Sequence, residues 1–200
     1  MDAKKKEENE KEKEEPNFYV TTTRFTDETW NENCAYRTRS KHVVKAIYSS
    51  PYALDPRHIP PRANVFVIEM NNSQNQIEGI GLVKNYAISQ KYRIYNKHEN
   101  YNRYTFLGKA RVDRADMKNR KLLEKLEEFC FKGKGHQKRL RGITRIPKEK
   151  WQHWCLVHWK KHTTPAAGAD AETTTIIWIP NLIQMIRREF ARTLLIAPHK

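Results

Sequence analysis

The chain has 200 residues, of which 38% are hydrophobic and 30% charged, with 38 Lys and Arg against 23 Asp and Glu and a formal net charge of +15. That apolar content supports one core of ordinary size, while the basic excess points to a polyanionic partner, nucleic acid first. No apolar run reaches membrane-spanning length and no signal-like apolar segment opens the chain, and three cysteines at irregular spacing (Cys34, Cys130, Cys155) do not make a disulfide framework.

Residues 1–16 begin "MDAKKKEENEKEKEE", seven acids and five lysines with no aromatic, and are expected to be a disordered charged tail. "NFYVTTT" (17–23) has strand-forming residues. "FTDETWNENCAYRTRS" reads as a helix capped by Thr26 or Asp27, with Trp30 and Cys34 on one face. "VVKAIYSS" (43–50) returns to strand and stops at Pro51. Pro56, Pro60 and Pro61 then exclude a central strand from the loop that follows.

"NVFVIEM" and "QIEGIGLVKN" flank the turn "NNSQ" and predict a hairpin. Gly79 and Gly81 inside its second strand predict a bend or the close approach of another segment. "KYRIY" (91–95) and "NRYTFLGKARV" (102–112) are two more expected strands. "DMKNRKLLEKLEEFCF" is the strongest helix: Asp116 is the expected N-cap, Leu122, Leu123, Leu126, Phe129 and Cys130 form its apolar stripe, and Gly133 ends it.

A glycine-punctuated basic loop leads to a short strand near 144–146 and to a helix opened by Pro147, on which Trp151, Trp154, Cys155 and His158 share a face. Residues 163–175 read as a linker of small and polar residues. Residues 176–200 end in an amphipathic helix with Leu182, Ile186, Phe190 and Leu194 on one face. The strands are expected to pair mostly antiparallel. The expected fold class is α+β, with residues 17–162 forming a small mixed barrel flanked by helices.

Catalytic motifs are missing. There is no P-loop, nucleophile elbow, HExxH or dinucleotide fingerprint, so the expectation is a binding protein with no catalytic residues, no cofactor and no metal. Cys130, His136, Cys155 and His158 include a permitted Cys-x2-His zinc spacing, but both cysteines fall on apolar helix faces, and core packing is the better reading. A nuclease is disfavoured because no acidic cluster stands out.

The basic loop supplies the strongest charge signal. Lys132, Lys134, His136, Lys138, Arg139, Arg141 and Arg145 occur with no acid between them, and the interspersed glycines let backbone approach a phosphate. Aromatics are the second signal. Tyr36, Tyr48, Tyr52, Tyr101 and Tyr104 lie near strand ends or loops, where a base could stack. Tyr48 directly precedes "SSP" and is expected at the mouth of a pocket.

The succession "FYVTTT", a helix with Trp30, "AIYSSP", "NVFVIEMNNSQNQIEGIGLV" and "KRLRGITRIPKEKW" resembles the PUA-like superfamily, in particular its EVE and YTH domains, over about residues 18 to 159. The basic body also looks like uncharacterised proteins of large DNA viruses. The resemblance implies a small barrel that binds nucleic acid and reads a modified base in an aromatic cage. By position Tyr48 matches the aromatic before Ser-Thr in the YTH motif, with Tyr where Trp is usual, and Ser49 matches the serine beside it. Tyr92, Tyr95 and Tyr104 are the candidates for the rest of the cage.

The expected function is therefore an RNA- or DNA-binding module with a base pocket of Tyr48, Ser49, Tyr92, Tyr95 and Tyr104 beside the phosphate-binding loop. The alternative is a structural or interaction protein, a virion or chromatin component, assembling with itself or another protein through 176–200. The expected location is intracellular, in nucleus or cytoplasm or with a virion.

Overall fold

The computed structural model describes residues 18–40, 44–88, 92–158 and 181–196. The expected tail at 1–16 and linker at 163–175 lie outside these residues.

The chain opens with β1 (Phe18–Phe25), α1 (Asp27–Arg39), β2 (Ala46–Ser50), β3 (Asn64–Asn71) and β4 (Gln76–Lys84). It continues with β5 (Tyr104–Gly108), β6 (Ala110–Asp113), α2 (Arg120–Phe131), β7 (Thr144–Arg145), α3 (Lys148–His158) and α4 (Leu182–Ile196). The strands form a five-stranded mixed sheet in the order β6-β4-β3-β1-β7 and a two-stranded sheet of β2 and β5. The fold is thus mixed α+β.

The first strand runs parallel to β3, with Val20 opposite Phe66 and Thr22 opposite Ile68, while the other pairings are antiparallel. A parallel neighbour requires a crossover, and α1 with β2 supplies it. Thr26 caps α1, its hydroxyl accepting from the Thr29 N–H while the Thr29 hydroxyl accepts from the Thr26 N–H.

The sheet is buried on both faces. Phe66, Ile68, Met70 and Ile80 pack against α2, α3 and α4. Val65, Val67 and Val83 face β2, β5 and the loops beyond them, with Ile47, Tyr48 and Phe106 opposite. A bulge between Glu69 and Met70 brings Glu69 opposite Gly79 but Met70 opposite Ile77. The extra residue turns both Ile77 and Ile80 to the helical side. At the hairpin turn the Asn71 carboxamide oxygen accepts from the Ser73 and Gln74 N–H groups, and Asn75 takes a left-handed φ of 53°.

Both hairpin glycines have a concrete reason. A Cβ on Gly81 would lie 1.9 Å from the Tyr48 hydroxyl, and one on Gly79 would lie 2.6 Å from an Arg111 nitrogen and 2.9 Å from a Glu69 oxygen. The glycines open room above β4 for a buried polar cluster. Tyr48 donates to Glu69 Oε1 at 2.6 Å, and Arg111 grips the same carboxylate through Nε at 2.9 and 3.0 Å and Nη2 at 2.6 Å. The Trp30 ring lies 5.5 Å from the Arg111 guanidinium.

Two strand expectations differ from the structure. Residues 92–95 form no strand, because the Asn102 side chain does the work of a partner. Its oxygen accepts from the Ile94 and Tyr95 N–H groups and its nitrogen donates to the Tyr95 carbonyl. The expected strand at 102–112 divides into β5 and β6, which belong to different sheets. Gly108 permits the change, since a Cβ there would sit 2.0 Å from the Leu82 carbonyl oxygen. The pairings are mostly antiparallel, as expected, with β1–β3 the parallel exception.

The helices follow their stripes. All five expected residues of α2 are buried, although Asn119 rather than Asp116 is its N-cap, accepting from the Leu122 N–H at 3.0 Å. On α4, Leu182, Ile186 and Phe190 are buried against the sheet, with Phe190 5.1 Å from Phe66; the Leu194 side chain lies outside the described residues. Buried Glu189 accepts from the Lys118 and Asn119 N–H groups just before α2. The described apolar residues of α4 are therefore covered by its own chain.

Candidate nucleic-acid interface

A cavity of about 250 Å³ opens where the end of β1, the start of α1, the end of β2 and the basic loop converge. Phe25, Tyr95 and Tyr101 supply aromatic wall; Thr23, Ser49 and Asn72 supply polar wall. Arg24, His98 and Gly142 complete the rim, with Thr26 and Thr29 at the helix end.

Local chemistry fixes each wall. Phe25 is 2% exposed and packs edge-on against Trp30 at 5.2 Å. Ser49 shares a 2.6 Å hydrogen bond with the Thr105 hydroxyl, so the β2–β5 pairing holds it in place. Tyr95 is buried, which pushes its phenol well above the usual range, and its backbone is clamped by Asn102. Tyr101 is half-buried and edge-on to His98 at 6.1 Å.

The basic loop reaches the cavity through Gly142. This residue has φ of 63°, and a Cβ on it would lie 2.4 Å from the Ser50 hydroxyl oxygen and 3.3 Å from Pro51. Only glycine lets the loop lie against the "SSP" exit of β2 in that conformation. Upstream, Gln137 pins the loop from within. It is 1% exposed, its N–H donates to the Cys130 carbonyl at 2.8 Å, and its side chain donates to the Gly135 carbonyl at 2.6 Å.

Arg24 is the charged group of the cavity wall. It is half-buried, and its Nη1 donates to the Lys138 carbonyl, which also accepts from Asn72 at 3.2 Å. Its Nε is buried without a hydrogen-bond partner, and among the described residues no carboxylate pairs with it. Burial lowers the pKa of this guanidinium; the Tyr101 phenol opposes that effect and the neighbouring Arg141 charge adds to it.

The structure brings together part of the expected pocket. Ser49 and Tyr95 line the cavity. Tyr48 does not: it is 1% exposed, hydrogen-bonded to Glu69 under the hairpin, and its phenol is pushed far up by burial and by the Glu69 charge. The expectation that Tyr48 stands at a pocket mouth is corrected, because its side chain points to the opposite side from its neighbour Ser49. Tyr92 packs edge-on to Tyr36 at 6.1 Å, and Tyr104 lies under the Arg103 guanidinium at 5.4 Å; neither lines the cavity. Tyr52 stands 60% exposed just past Pro51.

The seven basic residues also separate. Lys132, Lys134, Arg139 and Arg141 are exposed, and among the described residues their side chains make no hydrogen bond or ion pair. Lys138 donates to Asn75 Oδ1 at 2.6 Å, which ties the loop to the hairpin turn. His136 Nδ1 accepts from the Lys138 N–H. These two shape the loop. Arg145 lies in β7 and lines a different groove with Lys148 and Trp151. Cys130 and Cys155 are buried core residues, and burial raises both thiols, Cys155 to about 12.

Sequence reasoning missed Arg24, Asn72 and His98. Arg24 carries a signal in retrospect: it is the sole charge in "FYVTTTRF", a strand that is otherwise apolar or hydroxylated. No helix among the described residues is long and apolar enough to cross a membrane. No family model, no curated protein and no solved structure matches this chain.

Proposed function

We propose that the protein is a nucleic-acid-binding module that takes one extruded base into the cavity beside Gly142 and holds the strand's phosphates with the exposed cations of the basic loop. On this reading the five-stranded sheet and the β2–β5 pair are the two halves of a PUA-like barrel, packed across Gly81. The protein binds rather than catalyses.

One observation carries the reading: Gly142 is at once the end of the basic loop and part of the cavity wall. A polyanion following the loop meets an opening lined by Tyr95 and Tyr101, whose rings are suited to stacking on a base. Lys132, Lys134, Arg139 and Arg141 supply counter-charge without first having to break an internal ion pair. The binding reading is preferred to the assembly alternative because Leu182, Ile186 and Phe190 of α4 pack on the chain's own sheet.

The test is affinity for single-stranded RNA and DNA between low and moderate salt. Affinity should fall steeply as salt rises, because each phosphate neutralised releases a condensed counterion. Replacing half-buried Tyr101 by Ala should erase preference among bases while most of the affinity remains. Affinity that does not change with salt, or a Tyr101→Ala variant that discriminates as before, would sink the reading.

A further inference from the structure

We infer that the cavity takes the end of a nucleic-acid strand, with Arg24 and Arg141 holding a terminal phosphomonoester. This rests on the nucleic-acid reading above and names the part of the strand that enters.

Arg24 carries a charge that no acid among the described residues answers. Arg24 is half-buried in the cavity wall, bonded through Nη1 to a neutral carbonyl, with a buried Nε that has no partner. A guanidinium withdrawn from water is costly unless an anion and hydrogen bonds compensate it. Among the described residues no carboxylate does so. Arg24 lines a cavity of about 250 Å³, so the compensating anion can come from outside.

A second cation is adjacent in the chain to the cavity wall. Arg141 is exposed, pairs with no acid among the described residues, and immediately precedes Gly142 in the cavity wall. It is near enough for its charge to add to the effect of burial in lowering the Arg24 pKa. Like charges on Arg24 and on the residue beside Gly142 repel, and a ligand bearing two negative charges answers both. An internal phosphodiester carries one charge. A phosphomonoester carries about −1.5 to −2 near neutral pH, with three acceptor oxygens. Guanidinium forks match that geometry through paired N–H groups. Tyr95 and Tyr101 then receive the terminal base, and Lys132, Lys134 and Arg139 remain for diesters farther along the strand.

The shared chemistry fits a 5′ or a 3′ phosphate, and the experiment separates them. One short sequence, as RNA and as DNA, is prepared with a 5′ phosphate, a 3′ phosphate or hydroxyl ends, and binding to the full chain is measured at one salt concentration. One phosphorylated end should bind about tenfold more tightly than the hydroxyl end, the size of one charge-assisted hydrogen bond. Arg24→Gln and Arg141→Gln should each bring the two ends to similar affinity. Arg24 also holds the Lys138 carbonyl, whereas the exposed Arg141 side chain holds nothing among the described residues, so Arg141→Gln reads the phosphate contact with every internal hydrogen bond in place. Equal binding of phosphorylated and hydroxyl ends by the unaltered protein overturns the inference. A nucleoside monophosphate and inorganic phosphate are titrated alongside. If no oligonucleotide binds but the monophosphate does, the phosphate site stands and the nucleic-acid reading falls. If none of these binds, both fall.

Discussion

Arg111 and Arg24 are both drawn into the protein, and they are held in opposite ways. Arg111 has a side chain only 4% exposed and lies against Glu69, which is fully buried, and Asp113. Burial works against its charge, but the Glu69 carboxylate outweighs burial and keeps the guanidinium more firmly protonated than usual. Arg24 is less buried, yet it has a neutral carbonyl in place of a carboxylate. The first cluster is closed: Tyr48, Arg111 and Glu69 satisfy one another, and Gly79 and Gly81 are absent side chains that make room for them. The second opens into a cavity. A buried cation with its acid beside it is architecture, whereas a half-buried one without an acid is the feature on which the proposed anion site rests.

The sharpest way to break this contrast is to remove the acid from the closed cluster. Glu69→Ala should cost about 3–5 kcal/mol, because Arg111 is left buried with its principal partner gone. Chemical denaturation would measure it, and a loss below 1 kcal/mol would place Arg111 in the same class as Arg24. The next largest effect is expected from Gly81→Ala. The added methyl occupies the position of the Tyr48 hydroxyl and should cost about 1–3 kcal/mol by forcing the ring and its hydrogen bond aside. Pairing it with Tyr48→Phe in a double-mutant cycle should recover part of that loss, since the clashing oxygen is then gone. The smallest effect belongs to the open site. Arg24→Met removes one hydrogen bond to a carbonyl and an uncompensated charge together, so stability should stay within about 1 kcal/mol of the parent protein while affinity for nucleic acid falls. A large loss of stability with unchanged binding would make Arg24 a structural residue and end the contrast.

Much of the candidate site was within reach of the sequence, though not its centre. Tyr101 was marked by its place near a loop, Ser49 and Tyr95 by the resemblance to PUA-like domains, and Arg141 by the run of cations. Tyr48 misled because strand alternation says that Tyr48 and Ser49 face opposite ways without saying which side is the pocket. That assignment depended on Gly81, distant in sequence, whose missing side chain makes the inner position the roomy one for a tyrosine. Arg24 was passed over because a single charge in a strand has no pattern. Its meaning comes from residues that the fold brings beside it: Asn72 at the hairpin turn, Lys138 in the basic loop and Tyr101 before β5.

The sequence by itself determined the local elements with strong periodicity or strong punctuation. The α2 stripe, the Thr26 cap and the hairpin around Asn72 follow from interactions among residues a few positions apart, and such interactions are written in spacing. The surplus of positive charge is likewise a property of composition. The tertiary structure alone decided the parallel pairing of β1 with β3, the division of 102–112 between two sheets and the use of a side chain, Asn102, where a strand partner was expected. It also decided which arginine received an acid and which faced a cavity. Those outcomes depend on contacts between residues far apart in the chain, where burial, volume and charge are settled together and no local pattern records the result.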